Sequence, residues 1–457
     1  MAIAPRTPPG VMELLPQQQI AFQRMLDTVR RGFERFGYLP VETPVFEMTD
    51  VLLTKSGGET EKQVYFVQST GALKQGDAPD MAMRFDLTVP LARYVAQREN
   101  QLNFPFRRYQ IQRVYRGERN QKGRYREFYQ CDIDVIGKDT LPLAYDVELP
   151  AVIYGIFREL GFGAFTIYLN NRKLLRGLLD GFGIIGSDAQ AAVLHEVDRL
   201  GKMDRAEVQA RLCGEGVGLA ADVAEKLINI MTAHVGDSMG TLAALDAFEG
   251  RNPVFDEGLA ELRRVYEGTL ALGVPAAALR LNLSIVRGLD YYTGTVYETF
   301  LDEHPKLGSI CSGGRYENLA GHYTKSKLPG VGISIGATRL FSQLLEMGVI
   351  KADEASIAHV LVLNVEAGLA GEYAAMATEL RAAGINTEVY GGDDKLGKQM
   401  KYADRAKVPL AILVGGREQA EGVVKVKNLK VAVGTADNET SVPRSELVAR
   451  VKALLGV

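Results

Sequence analysis

The spacing of apolar residues near the start of the chain predicts an amphipathic helix. Between Gln17 and Gly37, apolar side chains recur every three or four residues, at Phe22, Met25, Leu26, Val29, Phe33 and Phe36. Side chains with this spacing share one face of an α-helix, and glycine is a residue type that commonly follows its last turn. We therefore expect a helix that packs its apolar face on a core and ends near Gly37.

Two strands with alternating side chains are predicted further along. Residues 107–117 and 126–137 have this pattern, and they flank a polar loop, ERNQKGRY, that contains one glycine. Because successive side chains of a strand point to opposite faces, the second strand has a polar face made of Phe128, Gln130, Asp132 and Asp134. The opposite face, made of Tyr129, Cys131, Ile133 and Val135, is expected to lie on a core.

Changes in pattern divide the rest of the chain. Residues 171–267 are helical in pattern and rich in Ala and Leu, and alternating segments return after them. From residue 356, strands alternate with helices, which is typical of a small α/β domain. The predicted organisation is a discontinuous first domain, 1–170 and 268–350, with a helical insertion, 171–267, followed by a C-terminal domain, 356–457.

Composition narrows the class of protein. At 457 residues the chain exceeds the roughly 250–300 residues that one core supports, and no apolar run is long enough to cross a bilayer. The first residues, MAIAPRTPPGVMELLP, contain no apolar segment typical of a secretory or transit peptide, so we expect a cytoplasmic protein. The net charge of -3 argues against a uniformly basic nucleic-acid binder.

The predicted hairpin is strongly basic. Against one acid, Glu118, the segment from Arg107 to Arg126 has eight basic residues: Arg107, Arg108, Arg113, Arg116, Arg119, Lys122, Arg124 and Arg126. Seven are arginine, whose planar fork suits phosphate, although a solvated basic face is the alternative for such a run alone. Beside it, the polar strand face offers a ring that can stack on a base, and an amide and carboxylates that can hold an ammonium group. This combination fits ATP and a cationic small molecule.

Two common nucleotide-binding motifs are excluded. The chain contains no GxxxxGK[ST] segment. The glycines of Gly330–Gly336 have one residue too many for the dinucleotide fingerprint, and the apolar residues between them favour a buried strand.

Several segments together resemble the histidyl-tRNA synthetase family of class II aminoacyl-tRNA synthetases. PRTPPGVMELLP resembles the family's start, YLPVETPVFE its motif 1 with the proline at Pro44, VYRGERNQKGRYREFYQCDIDVIG its motif 2, and GVGISIGATRL its motif 3. VRGLDYYTGTVYE and SGGRYENL resemble its histidine-specific signatures. The implied fold is α/β (α+β): an antiparallel-sheet catalytic domain with a helical insertion, and a C-terminal α/β anticodon-binding domain.

The resemblance also implies roles for individual residues. Its histidine-binding set is Asp86, Leu87, Thr88, Arg116, Gln130, Asp134, Arg287, Tyr291 and Tyr292, in which Asp86, Thr88 and Gln130 receive the α-ammonium group and Asp134, Tyr291 and Tyr292 the imidazole. Its ATP-binding set is Arg116, Glu118, Arg124, Phe128 and Arg339, and its catalytic residues are Arg287, Arg116 and Gln130. Arg119 and Lys122, in the motif 2 loop, are expected to approach the tRNA acceptor end.

The reaction that the resemblance implies is the activation of L-histidine by ATP, with Mg²⁺, and transfer of histidine to the 3′ end of tRNA(His). The expected assembly is a homodimer formed through motif 1, and no membrane is involved. One departure concerns the ammonium site, where Arg84-Phe-Asp86-Leu-Thr88 replaces the Arg-Pro-Glu-Gly-Thr common in bacterial members. Both versions keep a carboxylate.

A second basic segment lies in the C-terminal domain. Between Lys395 and Lys430 there are nine basic residues against three acids, and Lys395, Lys398, Lys401 and Arg405 have helical spacing. A solvated helix face is an equally good interpretation of this pattern by itself. The resemblance favours a surface that binds tRNA.

Other interpretations stay open at this point. Arg287-Gly-Leu-Asp-Tyr-Tyr292 could be a turn with ordinary aromatic packing, and the glycines of SGGRY could serve close backbone packing. For the whole chain, the alternatives are a non-catalytic, histidine-binding regulatory paralogue or a class II synthetase for another amino acid. A regulatory paralogue is expected to lack the C-terminal domain and to have lost arginines, whereas this chain keeps both. A synthetase for another amino acid conflicts with RGLDYY, which resembles a histidine-specific signature.

The implied role of Arg287 can be tested directly. Arg287→Ala should leave the fold intact and abolish histidine-dependent exchange of pyrophosphate into ATP, because a cation at the reacting phosphate stabilises charge that develops in the transition state. A near-normal exchange rate in a folded variant would remove Arg287 from the site.

Overall fold

The computed structural model describes residues 3–53, 63–117, 123–200, 203–232, 237–286, 288, 291–431, 435 and 438–457. Contacts divide the chain into two compact units: Met25–Ile350 makes up most of the first, and Lys351–Val457 most of the second. None of the helices in the described ranges combines the length and apolar character that crossing a membrane requires.

The first unit is built on an eight-stranded sheet with the order β1-β5-β6-β11-β10-β9-β7-β8. Its strands are β1 (Leu39–Pro40), β5 (Phe106–Tyr115), β6 (Glu127–Ile136), β7 (Phe165–Asn171), β8 (Leu279–Leu281), β9 (Thr295–Leu301), β10 (Cys311–Tyr316) and β11 (Gly330–Gly336). Neighbouring strands are antiparallel except in the β1–β5 and β7–β8 pairs. A small sheet, β2-β4-β3, contains β2 (Phe46–Met48), β3 (Tyr65–Val67) and β4 (Met81–Met83).

The helices that precede Lys351 in sequence are α1 (Pro16–Arg35), α2 (Thr49–Leu52), α3 (Thr70–Gln75), α4 (Thr88–Arg98), α5 (Ala144–Leu160), α6 (Arg172–Gly181), α7 (Ser187–Val197), α8 (Arg205–Cys213), α9 (Ala221–Thr232), α10 (Ser238–Asp246), α11 (Pro253–Ala271) and α12 (Ala337–Glu346). The predicted N-terminal helix is confirmed as α1: Phe22, Val29 and Phe33 are buried, and Gly37 has a left-handed φ of 76° just after its end.

The predicted hairpin is also confirmed, as β5 and β6, which pair from Phe106↔Ile136 to Tyr115↔Glu127. On β6, the side chains of Cys131, Ile133 and Val135 are fully buried, as the alternation predicts. Strands β9, β10 and β11 follow the helical segment in sequence and complete the same sheet. The Gly330–Gly336 segment is one of these mostly buried strands and not a dinucleotide loop. Helices α6–α11 lie in the same compact unit as the sheet. Because this division does not separate them from the sheet, the predicted bounds of the insertion, 171–267, stay predictions.

The second unit is a five-stranded sheet with the order β13-β12-β14-β15-β16. It contains β12 (Val360–Val362), α13 (Ala370–Ala382), β13 (Thr387–Val389), α14 (Leu396–Ala406), β14 (Leu410–Leu413), α15 (Gly416–Ala420), β15 (Val423–Asn428), β16 (Glu439–Pro443) and α16 (Leu447–Leu455). The pattern of alternating strands and helices predicted each of these elements except α15 and β16. Both are short, and β16 buries none of its side chains, so its sequence has little apolar signal.

Close packing between α6 and α11 depends on glycine, which yields a test of stability. A Cβ atom added at Gly258 would lie 2.1 Å from the backbone nitrogen of Leu174, so Gly258→Ala must push the two helices apart. We expect it to lower the free energy of unfolding by roughly 1–3 kcal/mol. The matched control is Gly155→Ala, in α5, where a Cβ would meet no atom within 4 Å and the better helix propensity of alanine should raise stability by about 0.5–1 kcal/mol. Urea unfolding followed by circular dichroism measures both, and equal midpoints would contradict this account of the helix packing.

Candidate active site

A cavity of about 500 Å³ opens on the face of the large sheet that carries the polar side chains of β6. Nine residues predicted for the site line it: Asp86, Thr88, Arg116, Arg124, Phe128, Gln130, Tyr291, Tyr292 and Arg339. They come from the turn before α4, from the β5–β6 hairpin, from the segment before β9 and from α12. The fold therefore brings together residues from four distant parts of the sequence.

The other six residues predicted for the catalytic domain's site are not among the described residues that line the cavity. Arg287, Glu118, Arg119 and Lys122 lie outside the described residues. Leu87 is fully buried beneath the start of α4. Asp134 is 4% exposed and is not among the residues that line the cavity.

Two arginines with fixed positions form part of the cavity wall. The Nε atom of Arg116 donates to the carbonyl oxygen of Phe85 at 2.9 Å, and its guanidinium carbon lies 5.2 Å from the ring centroid of Phe128. Arg339 donates from Nη2 to the carbonyl oxygen of Leu307 at 2.6 Å. Guanidinium forks match the geometry of phosphate and carboxylate, so both residues are suited to an anion in the cavity.

The floor of the cavity presents buried polar atoms that have no hydrogen-bond partner among the described residues. They are Gln130 Oε1, Asp132 Oδ1 and the Tyr291 hydroxyl. The amide nitrogen of Gln130 is already used, since it donates to Ser334 Oγ at 2.8 Å. A buried polar atom without a partner costs about 1–3 kcal/mol, so three of them at one cavity indicate a polar ligand. Oxygens of Gln130 and Asp132 require donors on that ligand.

Asp134 takes part in a buried ion pair behind the cavity. Its Oδ2 lies 2.6 Å from Nη2 of Arg108, whose side chain is fully buried, and its Oδ1 accepts a hydrogen bond from the Tyr316 hydroxyl at 2.9 Å. Both carboxylate oxygens of Asp134 therefore already have protein partners. The predicted contact between Asp134 and an imidazole stays a prediction.

Burial dominates the ionisation of the carboxylates here. It raises the pKa of Asp132 to about 7, against the lowering effects of the Arg108 guanidinium and the Ser334 hydroxyl. It also raises the pKa of Asp134, opposed by Arg108 and Tyr316. The pKa of Asp86 is raised by burial as well, although the backbone N–H of Val89 donates to its Oδ1 at 3.0 Å.

Glycines let the strands and rings approach these groups closely. A Cβ at Gly332 would lie 2.2 Å from Asp134 Oδ1, and one at Gly314 would lie 2.8 Å from the ring of Tyr292. At Gly313, a Cβ would lie 2.1 Å from the carbonyl oxygen of Gly332. The glycines of SGGRY therefore serve close packing, which was one of the two interpretations of that segment.

The basic run of the hairpin is only partly available to a ligand. Arg107 pairs with Glu148 at 2.5 Å, Arg108 with Asp134 at 2.6 Å, and Arg113 with Glu127 at 3.5 Å. The prediction that the whole basic run binds phosphate is therefore too broad, because these three arginines pair with acidic side chains of the protein itself. Arg116 and Arg124 are the arginines of this run that line the cavity.

Several residues that line the cavity were missed as site residues: Asp132, Ser309, Cys311, Ser312 and Ser334. Asp132 was assigned to the correct face of β6, among the carboxylates that can hold an ammonium group, but it was not named as a site residue. Ser334 does carry a signal, since it is a single polar residue within the apolar run of β11. Cys311 and Ser312 reach the cavity because β10 pairs with β11, and this register cannot be read from spacing.

In the second unit, the four predicted basic side chains are exposed along α14. Lys395 precedes the first residue of the helix, and Lys398, Lys401 and Arg405 follow within it. Lys398 forms an exposed ion pair with Asp394 at 2.7 Å, which weakens its contribution as a free charge. We call these four residues the α14 stripe.

Comparison with known proteins decides the family. Residues 10–340 match the family model described as histidyl-tRNA synthetase. The chain belongs to the histidyl-tRNA synthetase family. Residues 359–454, which include the α14 stripe, match the model of an anticodon binding domain.

Individual relatives agree with this membership. A histidine–tRNA ligase of Xanthomonas campestris pv. campestris is 56% identical over 99% of this chain and 97% of the relative. One of Stenotrophomonas maltophilia is 58% identical over 93% and 94%. The crystal structure of histidyl-tRNA synthetase from Nostoc sp. PCC 7120 superposes with a TM-score of 0.90 at 36% identity, covering 99% of this chain and all of that one.

Proposed function

We propose that this chain is a histidine–tRNA ligase, which activates L-histidine with ATP and transfers it to the 3′ end of tRNA(His). The observation that carries the proposal is the pairing, in one cavity, of buried acceptors with fixed guanidinium groups. Gln130 Oε1 and Asp132 Oδ1 find no donor in the part of the chain that the structure describes, while Arg116 lines the same cavity. An amino-acid zwitterion supplies what each needs, an ammonium group for the acceptors and a carboxylate for the arginine.

In the first step, an oxygen of the histidine carboxylate attacks the α-phosphorus of ATP. A bond forms between that oxygen and phosphorus, the bond to the pyrophosphate oxygen breaks, and histidyl-adenylate and pyrophosphate result. A carboxyl group with an ordinary pKa of about 3.3–3.7 is already ionised at neutral pH, so no general base is required. The protein's contribution is to position the reactants and to stabilise charge on the phosphate oxygens.

Arginine side chains position the reactants and stabilise this charge. Arg116 contacts the α-phosphate and the histidine carboxylate, and Arg124 and Arg339 hold the outer phosphates. Adenine stacks on the ring of Phe128, with Glu118 as its hydrogen-bond partner. Arg287 acts at the reacting phosphate. In the second step, a hydroxyl of the terminal ribose of tRNA attacks the histidyl carbonyl carbon, and AMP leaves.

Selectivity for histidine follows from the polarity of the pocket. Asp86, Thr88 and Gln130 receive the ammonium group, and Tyr291 and Tyr292 face the side chain. An apolar amino acid of similar size would leave buried polar groups without partners, a penalty that supports discrimination of up to about 10⁴–10⁵. No separate editing site is required.

Magnesium enters with ATP and not through a protein cage. Within the described residues, no three His, Cys, Asp or Glu side chains cluster in a way that could hold a metal ion. These side chains therefore do not fit an all-protein Mg²⁺ site, and Mg²⁺ is proposed only as the ion that accompanies the triphosphate, as is usual for this ion.

The proposal includes a cytoplasmic homodimer. Motif 1 leads into β2, where Phe46 and Met48 lie two residues apart, on the same face of the strand, and are 48% and 49% exposed. Exposed large apolar side chains grouped in this way are typical of protein interfaces. Sedimentation showing a stable monomer at micromolar concentration would count against the dimer.

The regulatory-paralogue alternative is not favoured. A protein that only binds histidine has no need of triphosphate contacts or of an anticodon-binding domain. Here Arg116, Arg124 and Arg339 all line the cavity, and residues 359–454 match the anticodon-binding model.

The first test is pyrophosphate exchange into ATP, run with each amino acid in turn. We expect exchange with histidine alone, because the proposed pocket pairs its buried polar groups with an imidazole, and another side chain would leave some of these groups without a partner. Exchange in the absence of amino acid, or with a different one, would refute the proposal.

The second test concerns the α14 stripe. The triple variant Lys398→Ala, Lys401→Ala, Arg405→Ala should raise KM for tRNA about tenfold or more. It should also make KM less dependent on salt: the slope of log KM against log salt concentration should fall by roughly 0.7–0.9 for each phosphate that the variant no longer neutralises. Exchange needs no tRNA and should be unchanged. The charge-conserving control, Lys398→Arg, Lys401→Arg, Arg405→Lys, should retain aminoacylation. An alanine variant with unaltered KM would show that the stripe is a solvated helix face.

A further inference from the structure

Two buried asparagines end strand β7, and their side chains hold different parts of the first unit. Asn170 and Asn171 are both fully buried. The side-chain nitrogen of Asn170 donates to the carbonyl oxygens of Leu283 at 3.0 Å and of Ile285 at 2.8 Å. Its Oδ1 accepts from the backbone N–H of Asn171 at 2.8 Å. Because two partners are carbonyl groups and the third is an N–H, only one orientation of the Asn170 amide satisfies all three.

The segment held by this amide comprises residues 282–286 and leaves the large sheet directly after β8; we call it the clamped segment. Its first residue still pairs with β7, since the N–H of Asn282 donates to the carbonyl oxygen of Leu169 at 3.0 Å. Leu283 and Ile285 are buried. A buried carbonyl group that loses its donor is costly to leave unpaired, so the backbone conformation of this segment depends on the amide.

The clamped segment leads to the wall of the cavity. Gly288 follows Val286 by two residues, so their Cα atoms are at most about 7 Å apart. The carbonyl oxygen of Gly288 accepts from the N–H of Tyr292 at 2.9 Å, and a Cβ added to Gly288 would lie 2.2 Å from the Tyr292 ring. Tyr292 lines the cavity. The backbone that Asn170 fixes is therefore two residues from a part of the chain that packs on the cavity wall.

Asn171 is buried to the same degree but holds the helical part of the unit. Its Oδ1 accepts from the backbone N–H groups of Lys173 at 2.8 Å and Leu174 at 3.4 Å, and so caps the N-terminus of α6. Its side-chain nitrogen donates to Oε2 of Glu261, on α11, at 2.9 Å. These three bonds equal in number those of Asn170, and none of the three involves the clamped segment.

We propose that Asn170 is a positioning residue for the activation step: its amide fixes the clamped segment, and with it the course of the backbone immediately before Arg287. This inference rests on the proposed function, which assigns Arg287 to the reacting phosphate. Arg287 lies outside the described residues and follows Val286 in sequence. Asn170 is not among the described residues that line the cavity, so its effect on the reaction passes through the backbone that it holds.

Position matters more than proton transfer in this reaction. The step needs no general base, so its rate depends on where cations lie relative to the charge that develops on the phosphate oxygens. A displacement of about 1 Å can lower a rate about a hundredfold, even when the altered residue is remote from the chemistry. Without the Asn170 amide, the carbonyl groups of Leu283 and Ile285 turn toward other donors, and the backbone before Arg287 moves. The loss should therefore fall on kcat more than on KM.

The experiment compares matched variants of the full-length protein in the histidine-dependent exchange assay. Asn170→Ala should lower kcat about tenfold to a hundredfold, with KM for ATP changed by less than about threefold. Asn171→Ala is the matched control, because it removes as many buried hydrogen bonds from the neighbouring residue. It should keep kcat within about twofold of the unaltered protein. Urea unfolding of both variants verifies that each is folded at the assay temperature.

A second comparison tests whether Asn170 acts through Arg287. Arg287→Lys replaces the fixed fork of arginine by a cation on a flexible stem, so a reduced but measurable exchange rate should remain. A flexible cation depends little on the exact course of the backbone. Adding Asn170→Ala to Arg287→Lys should therefore lower kcat by less than about threefold, and this failure of additivity is the sign that the two residues are coupled.

If Asn170→Ala does not fold, Asn170→Ser takes its place in both comparisons. It keeps one hydroxyl donor for the two carbonyl groups and should lower kcat about threefold to tenfold.

Three results would overturn the inference. The first is a kcat for the folded Asn170 variant within about twofold of the unaltered protein. The second is an equal loss of kcat in the Asn170 and Asn171 variants, which would indicate a general structural effect. The third is a loss of the same size with lysine at position 287 as with arginine. Failure of the proposed function is distinguishable, since the unaltered protein would then show no histidine-dependent exchange.

Discussion

Two buried carboxylates of β6, Asp132 and Asp134, and the half-buried carboxylate of Asp86 lie near one another, and the site depends on how their charge is balanced. Removing a carboxylate from water is costly unless a cation or several donors replace the water. Within the described residues, Arg108 pairs with Asp134, and Arg116 lowers the pKa of Asp86. Asp132 keeps one oxygen without a partner. That Asp132 oxygen has room for a further donor, and an amino-acid ammonium group can supply one.

The antiparallel ladder determines which groups meet. β6 lies between β5 and β11, so each polar residue of β6 has one neighbour on either side: Asp134 lies opposite Arg108 and Gly332, and Asp132 opposite Gln110 and Ser334. A shift of the ladder by one residue would turn these side chains to the apolar face. Gly332 must stay small, since a Cβ there would collide with Asp134. Register and glycine placement are thus as necessary to the site as the charged residues.

Much of this arrangement could be predicted from the sequence, because it depends on local periodicity. Alternation in β6 assigned Phe128, Gln130 and Asp132 to one face, and helical spacing predicted α1 and α14. What could not be predicted depends on contacts distant in the chain. Tyr316, which occupies one oxygen of Asp134, is 182 residues away, so nothing in the strand distinguishes Asp134 from Asp132. A count of charges also overestimated how many arginines of the hairpin are available to phosphate. Arg107, for example, is paired with Glu148 in α5, a contact that the hairpin's own sequence does not reveal.

The most direct test of this account is a crystal structure of the protein with histidine bound. The account predicts a nitrogen of histidine within hydrogen-bond distance of Gln130 or Asp132, and its carboxylate at Arg116. A complex in which histidine contacts none of these three residues would contradict it.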